Sequence, residues 1–361
     1  MKIITRVSCI IVFACLSFSS FAQQSSITEL MKKAADWQLK YWDTAGMKYG
    51  KANWVYAAAY TGIMALNDAS GDTTYRKALY AIGDSLQWRT GKRMFHADDY
   101  CIGQTYAKLY QVYQDPKIIE WFKMQADSII AQPHTESLEM KNNIVEREWA
   151  WCDALFMGPT ALAYLATATG QNKYLDIADK LWWKTTDYLL DSQENLYYRD
   201  SRFFTQKESN GSKVFWSRGN GWVMAGLVRM LENLPDDYPT KQKYVDLYKK
   251  MSEKIISLQS NDGTWHTALL DPDAYPSKET SGTGFYCYAL AWGINHGLLP
   301  KDKYLPAVKK AWEALTNAIH PDGKLGFVQP IGDKPGATDY NTTEAYGVGA
   351  FLLAGSEMLK L

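Results

Sequence analysis

The chain is short of the residues on which several chemistries depend. It has five cysteines in 361 residues. Two of them, Cys9 and Cys15, fall in the first 22. Cys101, Cys152 and Cys287 remain, enough for at most one bridge, so a disulfide framework is excluded. No Cys-x-x-Cys occurs, and the five histidines (His96, His134, His266, His296, His320) show no paired spacing, so no metal site is expected. Basic residues form no block, which argues against nucleic acid as a partner. Neither a Gly-x-Ser-x-Gly elbow nor a glycine-rich nucleotide loop is present. Beyond the first residues, no apolar run approaches the roughly 20 residues a membrane span requires.

Those first residues read as a secretory signal. Lys2 and Arg6 supply positive charge, Val7 to Phe21 an apolar core, and Ser20-Phe-Ala22 a small-x-small site before Gln23. The mature chain is expected to start near Gln23 and to be exported to the periplasm or beyond. A lipid anchor at Cys15 is disfavoured by bulky Phe13, where a small residue is required. Taking Lys2 and Arg6 from 39 basic residues, against 39 acidic ones, leaves a mature net charge of about −2. A chain of this length buries a large core without disulfides. No polar linker divides it, so residues 23–361 are expected to form one domain.

Aromatic residues are abundant: 14 Trp, 24 Tyr and 12 Phe. They suit a packed core and sugar rings equally. Apolar residues recur at helical spacing almost throughout, with no convincing strand alternation. The spacing predicts twelve helices, near 27–42, 54–68, 73–88, 99–114, 116–131, 153–169, 173–190, 220–233, 241–259, 283–296, 302–319 and 343–359. Breakers such as Gly71-Asp72, Asp115-Pro116, Gly170-Gln171 and His320-Pro-Asp-Gly323 separate them. Odd-numbered segments are amphipathic and charged. Even-numbered ones, such as Gly347-Val-Gly-Ala-Phe-Leu-Leu-Ala-Gly355, are apolar nearly all round, as buried helices are. Six buried helices alternating with six outer ones describe an all-α fold, an (α/α)6 barrel. A helical solenoid is the fallback, but its signature repeats are not evident.

The openings of the even segments hold the polar residues. They are Asn53-Trp-Val-Tyr56, His96-Ala-Asp-Asp-Tyr100, Trp151-Cys-Asp153, Trp216-Ser-Arg-Gly-Asn-Gly-Trp222, Ser281-Gly-Thr-Gly-Phe285 and Thr342-Thr-Glu-Ala-Tyr346. If the even helices run parallel, all six openings meet on one rim. Acids, amides, hydroxyls, Arg218 and aromatic rings then surround a crater whose helix N-termini favour an anion. A sugar carboxylate fits, with rings for stacking and Arg218 for a two-pronged grip. The candidate substrate-binding residues are Trp54, Tyr56, His96, Trp149, Trp151, Trp216, Arg218, Asn220, Trp222, Thr283, Glu344 and Tyr346.

Asp153 stands at the head of a buried helix, in the segment that starts at Glu146. Trp149 and Trp151 precede it. Two readings coexist. Asp is a preferred helix N-cap, and an acid beside indole rings at an apolar helix start can also hold a proton near neutrality. The two are compatible, with burial expected to outweigh the helix end. Each neighbour has a structural reading as well. Arg218 can hold a loop, Asp98 or Asp99 can cap the fourth helix, and Glu344 can complement a helix dipole.

With these residues in view, the chain resembles glycoside hydrolase family 105, the unsaturated rhamnogalacturonyl and glucuronyl hydrolases, relatives of family 88. The resemblance rests on Trp-Cys-Asp-x-Leu-Phe-Met at 151–157, Trp-Ser-Arg-Gly-Asn-Gly-Trp at 216–222, Ala-Asp-Asp-Tyr at 97–100 and Thr-Glu-Ala-Tyr at 343–346. It implies an (α/α)6 barrel acting on the 4,5-unsaturated uronic acid that polysaccharide lyases leave at an oligosaccharide end. It implies Asp153 as the acid that protonates C4, with Asp98 or Asp99 as a second acid. Arg218 would hold the carboxylate, and Trp54, Trp149, Trp216 and Trp222 would pack the ring. No metal or organic cofactor is implied. One departure is Arg199, near a position where rhamnogalacturonan-type members carry histidine. The aglycone is therefore open among pectin side chains, ulvan-like chains and arabinogalactan. Two other readings stand beside this one. They are an inverting glycosidase using Asp153 with Asp98 or Asp99 on a saturated linkage, and an exported sugar-binding protein without catalysis.

Overall fold

The computed structural model describes residues 4–141 and 147–361, with side chains from residue 24 onward. Glu146 lies outside the described residues, as do residues 1–3 of the expected leader and the side chains of the rest of it.

Among the described residues twelve α-helices appear, close to where the spacing predicts them except that α1 starts at Ile4, well ahead of the expected 27. α1 (Ile4–Ala45), α3 (Thr73–Ser85), α5 (Lys117–Ile130), α7 (Asn172–Leu189), α9 (Lys241–Ser257) and α11 (Lys301–Thr316) form the outer layer. α2 (Trp54–Ser70), α4 (Gly103–Tyr113), α6 (Ala154–Thr169), α8 (Ser217–Leu231), α10 (Thr280–Asn295) and α12 (Ala345–Met358) form the inner one. The contrast in composition explains the division. Every residue of α8 and α12 is buried, whereas α9 buries only the stripe Tyr244, Leu247, Tyr248, Met251, Ser252 and Ile255. Each inner helix packs on the next, and α12 returns to pack on α2, so the ring closes as an (α/α)6 barrel.

Turns behind the inner helices are short. α2 and α6 end on Gly71 (φ 69°) and Gly170 (φ 67°), which adopt the left-handed conformation that stops a helix. Longer segments lead into the inner helices, so the irregular chain gathers at their N-terminal mouths. One of these segments folds into a small antiparallel hairpin of β1 (Leu190–Asp191) and β2 (Leu196–Tyr197), which the alternation pattern did not predict. Cys101, Cys152 and Cys287 are all buried and free.

Candidate active site

The mouth of the barrel holds a crater of about 300 Å³. Its floor and walls come from Trp54, Trp151 and Met157, with Asp98, Asp153 and Arg199 facing in. Ile331, Gly332 and Asp333, from the segment ahead of α12, form the remaining side.

Asp98 and Asp99 belong to a short 3-10 turn, Ala97–Tyr100, ahead of α4. The turn separates the two acids. Asp98 looks into the crater with 17% of its side chain exposed. Asp99 looks outward and is occupied there, accepting from Arg93 N at 2.6 Å and from the Arg93 guanidinium at 2.7 Å. It also packs against Gly91, where a Cβ would come within 2.2 Å of its carboxyl carbon. Asp99 is thus the brace of the turn, and the expectation of a second acid falls to Asp98 alone.

Burial raises the Asp98 pKa to about 7. Asp153 and Asp99 add to the rise, while Arg93 and Arg199 oppose it. His96 Nδ1 accepts from Asp98 N at 3.3 Å, and the ring lies 4.8 Å from that of Trp151. Burial, with Arg93 and Arg199 nearby, lowers the His96 pKa to about 3, so this imidazole is neutral and a weak base.

Asp153 occupies the N-cap position of α6 yet does not cap it. Its backbone is already helical (φ −61°, ψ −30°), because Ala154 N and Leu155 N bond back to Trp151 O and Cys152 O. A capping side chain requires an extended backbone. The carboxylate turns instead to Arg199, whose Nε lies 3.3 Å from Oδ2. The capping half of the sequence expectation is therefore overturned.

Arg199 is the residue that sequence reading undervalued. It follows β2, and its carbonyl accepts from Cys152 N at 2.9 Å, which ties the hairpin to the start of α6. Its Nη1 donates to Asp200, a fully buried carboxylate, at 2.7 Å. Asp200 also receives Arg202, and Arg202 reaches Asp333 on the crater loop at 2.7 Å. Burial opposes the charge on Arg199, but Asp153 and Asp200 outweigh it and keep the guanidinium firmly protonated. The available signal was the charge alternation Arg199-Asp200-Ser201-Arg202 in an otherwise aromatic stretch. The loop at 331–333 offered no comparable signal.

Other expected ligand groups have structural tasks. Arg218 is fully buried between Trp216 (4.4 Å) and Tyr346 (4.8 Å). Its fork donates to Gln329 O at 2.7 Å and Pro330 O at 3.1 Å, so it holds the segment that delivers Asp333 and does not grip a ligand from an open face. Trp149 is buried with φ 58°, a backbone bend that turns its ring inward onto Gly158 and lets Nε1 bond Phe95 O at 2.9 Å. It braces the turn of Asp98 to the segment of Asp153. Trp216 bonds Gln329, and Trp222 packs among Phe156, Phe285 and Trp54.

Of the four tryptophans expected to pack the sugar, Trp54 alone lines the crater, backed by Tyr346 in a stacked pair 5.4 Å apart. Tyr346 gives its hydroxyl to Gln329 O. Asn220 clamps β2, accepting from Tyr197 N at 2.7 Å and donating to Tyr197 O at 3.0 Å. Thr283 is buried and bonds Glu279 O and Trp265 N. Tyr56 is buried, and its hydroxyl receives Tyr49 N. Glu344 is half-buried beside these groups, its pKa raised by burial against the pull of Arg218 and Lys48. The helix ends are also less open than expected, since Asn53 caps α2 and Glu279 caps α10.

A closed helical ring with paired acids on an aromatic crater defines a carbohydrate-active enzyme of the (α/α)6 class. The model of Glycosyl Hydrolase Family 88 matches residues 22–361, and the chain belongs to that family. It is a glycoside hydrolase, in accord with the family-105/88 relation read from residues 151–157 and 216–222. An unsaturated 3S-rhamnoglycuronyl hydrolase of Formosa agariphila is 39% identical, over 100% of this chain and 98% of its own length. A protein of the same description from Alteromonas sp. is 35% identical, over 93% and 86%. Among solved structures, a polysaccharide lyase superposes with a TM-score of 0.84 at 30% identity, covering 93% of this chain and 97% of its own.

Proposed function

We propose that this enzyme is an unsaturated rhamnoglycuronyl hydrolase. On this reading it removes a terminal 4,5-unsaturated uronic acid from a rhamnose-bearing oligosaccharide left by a lyase. The observation that carries the reading is the meeting of Asp153 and Asp98 in one crater walled by Trp54 and Trp151. Names of relatives at 39% and 35% identity support the uronyl and rhamnosyl parts. Export supports access to such polymers, and the leader-like residues 2–22 support export.

The double bond is an enol ether, so a proton delivered to C4 from Asp153 leaves positive charge shared by C5 and the ring oxygen. Ionised Asp153 then takes a proton from a water that adds to C5. The resulting hemiketal opens and expels the remaining saccharide, with one water consumed overall. Asp98 holds its own proton up to about pH 7, so below that pH it adds no negative charge beside Asp153.

The lyase at 30% identity favours a second reading, in which a base removes the C5 proton of a saturated uronate and creates the double bond. The neutral His96, with a pKa of about 3, is a poor base for that step. Ultraviolet absorbance separates the two outcomes. The hydrolase abolishes the absorbance of an unsaturated uronide, and a lyase generates it from a saturated chain. Asp153→Asn is expected to lower kcat about a thousand-fold with substrate binding retained. Absorbance that holds steady on unsaturated rhamnoglycuronyl oligosaccharides and rises on the saturated polymer would replace the first reading with the second.

A further inference from the structure

The crater presents acids to an anionic substrate. Asp98, Asp153 and Asp333 line it, and of the described residues that do so Arg199 is the cation. Arg218, the obvious candidate for the sugar carboxylate, is sealed between two rings and spends its fork on loop carbonyls. Arg202 is held by Asp200 and Asp333. Arg93 does not line the crater: it is drawn to Asp99 at 2.7 Å and reaches Asp98 only at 3.8 Å.

We propose that Arg199 is the residue that binds the carboxylate of the unsaturated uronate, a task that sets both the acid specificity of the site and the alignment of C4 on Asp153. The assignment rests on double-bond hydration as proposed above. Stereochemistry gives its first support. The carboxylate sits on C5, which is bonded to C4, so its holder has to stand within a side chain's breadth of the group that protonates C4. Arg199 does so, with Nε 3.3 Å from Asp153 Oδ2.

The second support is how the guanidinium is anchored. The contact with Asp200 is short, 2.7 Å to a buried carboxylate, and the Arg199 carbonyl is fixed by Cys152 N. The contact with Asp153 is longer and engages one edge. Arg199 can thus turn that edge to an arriving carboxylate while Asp200 holds the other, and Asp153 Oδ2 is left for C4.

The test compares an unsaturated uronide disaccharide with its methyl ester, which keeps the double bond and lacks the charge. Wild type is expected to prefer the acid by about 100-fold in kcat/KM, as loss of a charge-assisted pair implies. Arg199→Met, which keeps the apolar stem, is expected to cut that preference to under about ten-fold. The ester's intrinsic reactivity and bulk cancel in this comparison. Arg199→Lys keeps the charge and the tie to Asp200. If the Met variant misfolds, the Lys variant carries the test, with KM for the acid raised about ten-fold and KM for the ester unchanged. Undiminished acid preference in Arg199→Met, or equal KM shifts on both compounds in Arg199→Lys, would overturn the assignment. Wild type that consumes neither compound would instead overturn the underlying activity.

Discussion

Asp98 keeps a sixth of its side chain open, yet its proton is bound as tightly as a histidine's. The cause is the company it keeps: the turn buries it, and Asp153 and Asp99 stand close by. Its pKa rises from 3.8 to about 7, so between pH 4 and 7 the folded chain holds a proton that the unfolded chain has released. Stability linked to Asp98 is therefore complete below pH 4 and declines as pH rises through 7. Asp98→Asn carries no titration there. The stability of wild type relative to this variant should fall by about 4 kcal/mol from pH 4 to pH 8, measured by urea unfolding at both ends. A constant difference would mean that Asp98 titrates as a surface acid.

What could be read from residues alone follows from the same physics. Asp98, Asp153, Trp54 and Trp151 were legible because each interrupts an apolar helix start with a group that helix starts seldom need. Arg218, Trp149, Trp216 and Trp222 stand behind the crater lining, which the sequence did not show because it gives a side chain's type and not its direction. Their directions are set by Gln329 and Phe95 and by rings from α6 and α10, partners far away in the chain.

Among the elements, the inner helices owe their closeness to small residues. Gly349 of α12 faces α2, and a Cβ there would lie 2.5 Å from Ala58 O. Gly62 of α2 faces back, with a Cβ position 2.3 Å from Gly349 O. Two backbones in contact cannot yield as a flexible side chain can. Gly349→Ala gains about 1 kcal/mol of helix propensity but has to part the pair, and overpacking of this kind costs about 1–3 kcal/mol. The net expectation is a loss of up to about 2 kcal/mol in urea unfolding, with Gly170→Ala as a control for a glycine at a left-handed helix end. A gain in stability would show that α2 and α12 separate without cost. The helices themselves were plain in the sequence, because apolar and amphipathic segments alternate, with α4, which carries Lys108 and exposes Val112 and Tyr113, the least regular. The hairpin at β1 and β2 was not, since two-residue strands are too short to show alternation, and Asn220 of α8 supplies the bonds that fix it.

For the whole molecule, a ring of six helices has two ends, and Asp98, Asp153 and Arg199 gather at one of them. At the other end Arg229 of α8 is 5% exposed. Its Nε donates to Gln104 of α4, its guanidinium lies 4.5 Å over Tyr164 of α6, and Gln104 in turn donates to Phe156 O. One cation from the last turn of α8 thereby joins three inner helices. A cavity of about 240 Å³, lined also by Lys108, Glu232 and Glu357, lies beside it. Arg229→Met keeps the packing volume and removes the charge and its bonds, leaving Gln104 with a buried acceptor unmet. We expect a loss of about 2–4 kcal/mol in urea unfolding. Because Asp98, Asp153 and Arg199 sit at the opposite mouth, kcat at temperatures where the variant stays folded should match wild type. Equal stability would mean that the ring closes by apolar packing alone. A fall in kcat at retained stability would mean that the two mouths are mechanically coupled through α6 and α8.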